Sequence, residues 1–89
     1  MQSVTLYTTH TCVYCTRAKV LLTEYGVTTP VEFYVDTDSE KRAEMIERTG
    51  ERSVPQIFIG ETYVGGFDAL QALHHKKALK ALLSSPSAS

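Results

Sequence analysis

The run Val4-Thr5-Leu6-Tyr7-Thr8-Thr9-His10-Thr11-Cys12-Val13-Tyr14-Cys15-Thr16-Arg17-Ala18 decides the reading of this sequence. It holds the chain's only two cysteines, three residues apart. The extended apolar segment before them predicts a strand over 3–8. After them Cys15, Ala18, Leu22 and Tyr25 recur on one helical face with Leu21 beside it. That spacing predicts a helix over 13–25, ended by Gly26 as a left-handed cap. A cysteine at a helix N-terminus faces unpaired backbone N–H groups and the positive end of the helix dipole. Both favour the thiolate, which is the nucleophilic form. Cys12 occupies that place. Cys15, one turn inside, is within disulfide reach but better shielded. The spacing therefore makes Cys12 the attacking thiol and Cys15 the resolving one.

Three other readings of the pair compete. Half a zinc site would need two more ligands, and His10 with His74 or His75 is a poor substitute for a second cysteine pair. A structural disulfide across so short a loop removes little unfolded-state entropy. Two inert buried cysteines are the third reading. The strand–CxxC–helix context places redox chemistry above all of them, and no metal site is expected.

The 89 residues suit one domain whose stability must come from an apolar core. A net charge of −1 with both signs interspersed argues against nucleic-acid and anionic-membrane partners. No segment is long enough to span a bilayer, and no secretory signal is visible. The expectation is a cytoplasmic, monomeric protein in a reducing compartment, where a CxxC pair is more often catalytic than structural.

Beyond Gly26, strict alternation of Val31, Phe33 and Val35 predicts a second strand over 31–36, parallel to the first. Thr37 and Glu40 are spaced as a capping box for a second helix. Its apolar stripe is narrow, mainly Ala43 and Ile46, and Glu44 with Arg48 forms an i,i+4 pair. Gly50 ends it. Gln56 to Ile59 reads as a buried third strand after Val54-Pro55, and Gly60-Glu61 turns the chain into a fourth over 62–64. Asp68 and Gln71 resemble a further N-terminal cap. The last helical segment runs over 68–83, with a break expected around 75–77. The domain is placed at 1–83, and a disordered tail at 84–89.

The resulting order, β-α-β-α-β-β-α with CxxC after the first strand, resembles the thioredoxin fold: a four-stranded mixed sheet with helices on both faces. Three motifs narrow it. Cys12-Val13-Tyr14-Cys15 with Arg17-Ala18-Lys19, Thr49-Gly50-Glu51-Arg52-Ser53-Val54-Pro55, and Gly65-Gly66-Phe67-Asp68 together resemble the glutaredoxins, close to the small bacterial dithiol type. The resemblance implies a glutathione-dependent thiol–disulfide oxidoreductase in which Cys12 attacks and Cys15 or glutathione resolves. It implies glutathione as co-substrate, with disulfide-containing or glutathionylated proteins as partners. It implies a cis Val54–Pro55 bond that brings the Val54 backbone to the cysteinyl part of glutathione. Gly66, Phe67 and Asp68 map to the γ-glutamyl end, Arg52 to the glycine carboxylate, and Tyr14 to the groove wall.

The chain departs from the pattern at Thr9, where the family often has Lys, with His10 a partial substitute. Val13 stands for the usual proline, and Ala69 for a second polar residue. Two other functions stay open on the sequence. One is a [2Fe–2S] carrier, a dimer ligated by the nucleophilic cysteines and two glutathiones. The other is an electron donor that depends on thioredoxin reductase.

Overall fold

The structure is a computed structural model and describes residues 2–84. The elements are β1 (Val4–Thr8), α1 (Val13–Glu24), β2 (Val31–Tyr34), α2 (Ser39–Thr49), β3 (Gln56–Ile59), β4 (Thr62–Gly65), α3 (Phe67–His75) and α4 (Leu79–Ser84). The sheet order is β2-β1-β3-β4. β1 runs parallel to β2 and antiparallel to β3, and β3 and β4 form the antiparallel hairpin.

Period-two alternation distributes the core to both faces of this sheet. Val4 and Leu6 of β1 and Ile57 and Ile59 of β3 meet Ala18, Leu21 and Leu22 of α1, Leu70 of α3, and Leu79 and Leu83 of α4. On the other face Tyr7, Phe58 and Val35 pack against Met45 of α2. The helices therefore cover both faces, as in the thioredoxin fold. The α1 stripe is the one expected, and Tyr25 closes it by a hydrogen bond to His74 Nδ1 at 2.6 Å.

The structure corrects the sequence reading of α2. Its N-cap is Asp38, whose carboxylate accepts the N–H groups of Glu40 and Lys41. Thr37 instead closes a turn onto the Tyr34 carbonyl, which delays the helix start. The buried residue is Met45, with Ile46 half-buried and Ala43 exposed. Glu44 and Arg48 meet on the Tyr7 hydroxyl, which donates to Glu44 and accepts from Arg48 at 2.8 Å. The direct ion pair of this helix is Lys41–Glu44, at 3.2 Å.

Other boundaries shift less. β2 ends at Tyr34, although Val35 still bonds the Thr8 carbonyl at 2.9 Å. The last helical segment divides at Lys77, whose φ of 60° lies in the left-handed region. Ser84, expected in the tail, closes α4, and the rest of that expected tail lies outside the described residues. Among the described residues no helix is long and apolar enough to cross a membrane.

Candidate active site

Strand register brings three loops together. Tyr7 pairs with Gln56, so the segment leading into β3 lies beside the exit of β1. Ile57 pairs with Gly65, which sets the turn into α3 next to both. Cys12, Val54-Pro55 and Gly66-Phe67-Asp68 thus share one end of the sheet.

Cys12 is the N-cap of α1, in extended conformation, and its Sγ accepts the backbone N–H of Cys15 at 3.1 Å. One orphan donor of the helix is thereby turned onto the sulfur. The Cys12 thiol reaches the Val54 carbonyl oxygen at 3.9 Å. Cys12 is partly exposed, Cys15 is 1% exposed, and both thiols are free. Burial, followed by the hydrogen bond to Cys12, pushes the Cys15 thiol up to about 11, against the pull of the Thr8 hydroxyl and the Thr9 backbone. The difference in exposure expected from the spacing is present: an accessible sulfur at the helix end and a buried thiol behind it.

The loop between β1 and α1 is held from the β2 side. The His10 backbone N–H and ring Nδ1 both reach Asp36, at 3.1 and 2.9 Å, and the ring stacks on Tyr34 at 4.1 Å. The backbone N–H of His10, then its ring, holds the Asp36 carboxyl below the usual range. His10 is committed to Asp36 and Tyr34.

A cleft of about 520 Å³ runs from the α3 N-terminus past Val54 to the loop after α2. Tyr14, Val54, Pro55, Gly66, Phe67 and Asp68 line it, and the Val54–Pro55 bond is cis. Tyr14 packs its ring 5.9 Å from that of Phe67, with the Arg17 guanidinium 5.5 Å above the Tyr14 ring centroid. The N-cap of α3 is Gly66, and the first intrahelical donor is Leu70, so the N–H groups of Phe67, Asp68 and Ala69 belong to the open first turn. Asp68 does not cap this helix, contrary to the sequence reading: α3 has no side-chain cap hydrogen bond, and the Asp68 side chain is exposed.

Arg52 is not among the cleft residues and is exposed. Glu51, Ser53, Gln56 and Tyr63 also line the cleft and were not assigned to the site from the sequence, while Ala69, noted there as a departure from the family pattern, lines it too. Adjacency to Val54-Pro55 was the available signal for Ser53 and Gln56. Tyr63 reaches the site only through the hairpin, where its hydroxyl donates to Gln56 Oε1 at 2.5 Å. Ala69 underlies Gly65, where a Cβ would stand 3.1 Å from the Ala69 Cβ. Among the described residues no group of three or more His, Cys, Asp or Glu is arranged to hold a metal ion.

The glutaredoxin family model matches residues 4–64. The chain belongs to the glutaredoxin family. It is 52% identical to a glutaredoxin of Neisseria meningitidis serogroup A over 84 residues, covering 94% of this chain and 99% of the relative. The solution structure of a Brucella melitensis glutaredoxin superimposes with a TM-score of 0.80 at 46% identity, over 93% of this chain and 89% of that one. A crystal structure of a buckwheat glutaredoxin–glutathione complex superimposes with a TM-score of 0.82 at 28% identity, over 93% and 77%. The chain is a thiol–disulfide oxidoreductase of this family, and Cys12 and Cys15, close together, fit a CxxC redox motif.

Proposed function

We propose that the protein uses glutathione as its electron donor and reduces both glutathione mixed disulfides and protein disulfides, with Cys12 as nucleophile. The observation that carries this reading is the cleft itself. It joins a peptide backbone edge at Val54 to an open helix N-terminus at Gly66-Phe67, with the free carboxylate of Asp68 beside it. A γ-glutamyl group presents a carboxylate and an ammonium together. The helix N–H groups suit the first, and Asp68 suits the second. The similarity to a glutaredoxin solved in complex with glutathione supports glutathione as the ligand.

In a glutathione mixed disulfide, the Cys12 thiolate attacks the glutathione sulfur. The Cys12–glutathione bond forms, and the substrate thiolate leaves and takes a proton. A second glutathione thiolate then attacks that adduct, freeing Cys12 and giving glutathione disulfide. In a protein disulfide, Cys12 forms a mixed disulfide with the substrate. Cys15 then loses its proton and attacks Cys12 Sγ, releasing the substrate thiolate and leaving a Cys12–Cys15 disulfide. Two glutathiones supply the two electrons that reopen it. The N–H of Cys15 on Cys12 Sγ stabilises the sulfur each time it carries charge.

Turnover of a glutathionylated substrate is measured with NADPH, coupled through glutathione and glutathione reductase or through thioredoxin reductase alone. Oxidation of NADPH in the first coupling and not in the second is the expected result. Turnover only with thioredoxin reductase would overturn the reading.

A further inference from the structure

The ligand proposed above carries charge at both ends, yet the charged side chains that line the cleft are both carboxylates. Glu51 and Asp68 are its formally charged side chains, and no Lys or Arg is among its lining residues. The cations of the neighbouring elements lie outside that lining. Arg48 bonds Tyr7 at 2.8 Å and lies 3.9 Å over Phe58, while Lys19 pairs with Glu32 at 3.0 Å. Arg17 stacks on Tyr14, and Arg52 is exposed outside the lining. Position 9 is threonine.

Asp68 has a partner in the reading above, the ligand ammonium. Glu51 does not. Its backbone is fixed by an N–H bond to Thr49 Oγ1 at 3.0 Å, and its carboxylate forms no ion pair among the described residues. Its charge acts inside the cleft: after burial, Glu51 is the cause that pushes the Tyr63 hydroxyl up. A ligand with its amino-acid end at Asp68 and its cysteine along Val54 sends its other end toward the loop at 51–53.

We propose that Glu51 is a specificity-determining residue that disfavours a free carboxylate beyond the cysteine of the ligand. The site then favours γ-glutamyl-cysteinyl thiols whose far end is neutral or cationic. The inference rests on the glutathione reading and refines it.

The test is a single-turnover comparison. Reduced protein reacts with mixed disulfides between a chromogenic aryl thiol and either glutathione or glutathione amide, whose glycine carboxyl is masked. Cys12 attacks the glutathione sulfur, and the aryl thiolate that leaves is recorded. At low ionic strength the amide is expected to react about fivefold faster, the effect of one unscreened charge pair at close range in water. The ratio should shrink as salt is added. Glu51→Gln should bring it to about one, and Glu51→Lys should reverse it. Glu51 is exposed, so neither variant should lower the melting temperature, which is recorded alongside. Equal rates in the wild type, or a preference for free glutathione that Arg52→Ala removes, would overturn the inference and leave the glutathione reading intact. Failure of both disulfides to react would remove the reading and the inference together.

Discussion

Removing Cys12 isolates Cys15 and makes the asymmetry of the pair measurable. In the reduced protein Cys15 is 1% exposed and its thiol sits at about 11. At about pH 7.5 such a thiol is roughly 0.03% thiolate, against about 10% for a free thiol near 8.5, a deficit of about 300-fold. Greater intrinsic nucleophilicity returns about a factor of 13 over that interval, for a Brønsted slope of about 0.45. The net chemical factor is about 20-fold, before any barrier of access. Cys12→Ser removes the Cys12 sulfur and its charge, but burial, the first cause, stays. Iodoacetamide alkylation of Cys12→Ser, followed by intact mass, should therefore run at least about tenfold slower than glutathione at the same pH. Cys15→Ser, which keeps the accessible sulfur, should alkylate faster than Cys12→Ser. Denaturant should erase the protection of Cys15. Alkylation of native Cys12→Ser within about twofold of glutathione would refute the argument from burial.

Two further outcomes follow from the same geometry. Asp68→Ala should raise KM for glutathione while a denaturation curve moves little, because Asp68 makes no cap bond and only its favourable place at the helix N-terminus, about 0.3–1 kcal/mol, is lost; an unchanged KM would deny it the ammonium. The raised Cys15 thiol makes the folded reduced protein bind more protons than the unfolded chain between about pH 8.5 and 11. Its contribution is fully present below that window and lost across it, up to about 3 kcal/mol in all. Urea midpoints against pH should fall more for the wild type than for Cys15→Ser, and parallel curves would contradict the shift.

What the sequence revealed, and what it hid, divides by range. The strand–CxxC–helix unit was legible because its signals are local: an alternating run, a helical stripe at Cys15, Ala18 and Leu22, and a glycine stop. The break expected around 75–77 falls at Lys77. The α2 stripe misled because Met45 owes its burial to Tyr7 and Phe58 on the sheet, which the helix's own periodicity does not encode. The cap slipped from Thr37 to Asp38 because both residue types can cap, and the Tyr34 carbonyl chose between them. The cis Val54–Pro55 bond and the γ-glutamyl end came from family resemblance. Asp68 was read as a cap from its spacing to Gln71, whereas the preceding Gly66 takes the capping position. Glu51, quoted only as part of a motif, and Tyr63 were given no place in the site, because only the hairpin and the loop after α2, once folded, bring them to one cleft.

The central claim is the division of labour between an accessible Cys12 and a sealed Cys15, and two variants on two substrates measure it directly. Cys12→Ser and Cys15→Ser are assayed with glutathione against a glutathionylated substrate and against a protein disulfide. Cys12→Ser should lose both activities. Cys15→Ser should keep reduction of the glutathione mixed disulfide and lose most reduction of the protein disulfide. Equal loss of both activities in the two variants would contradict the assignment.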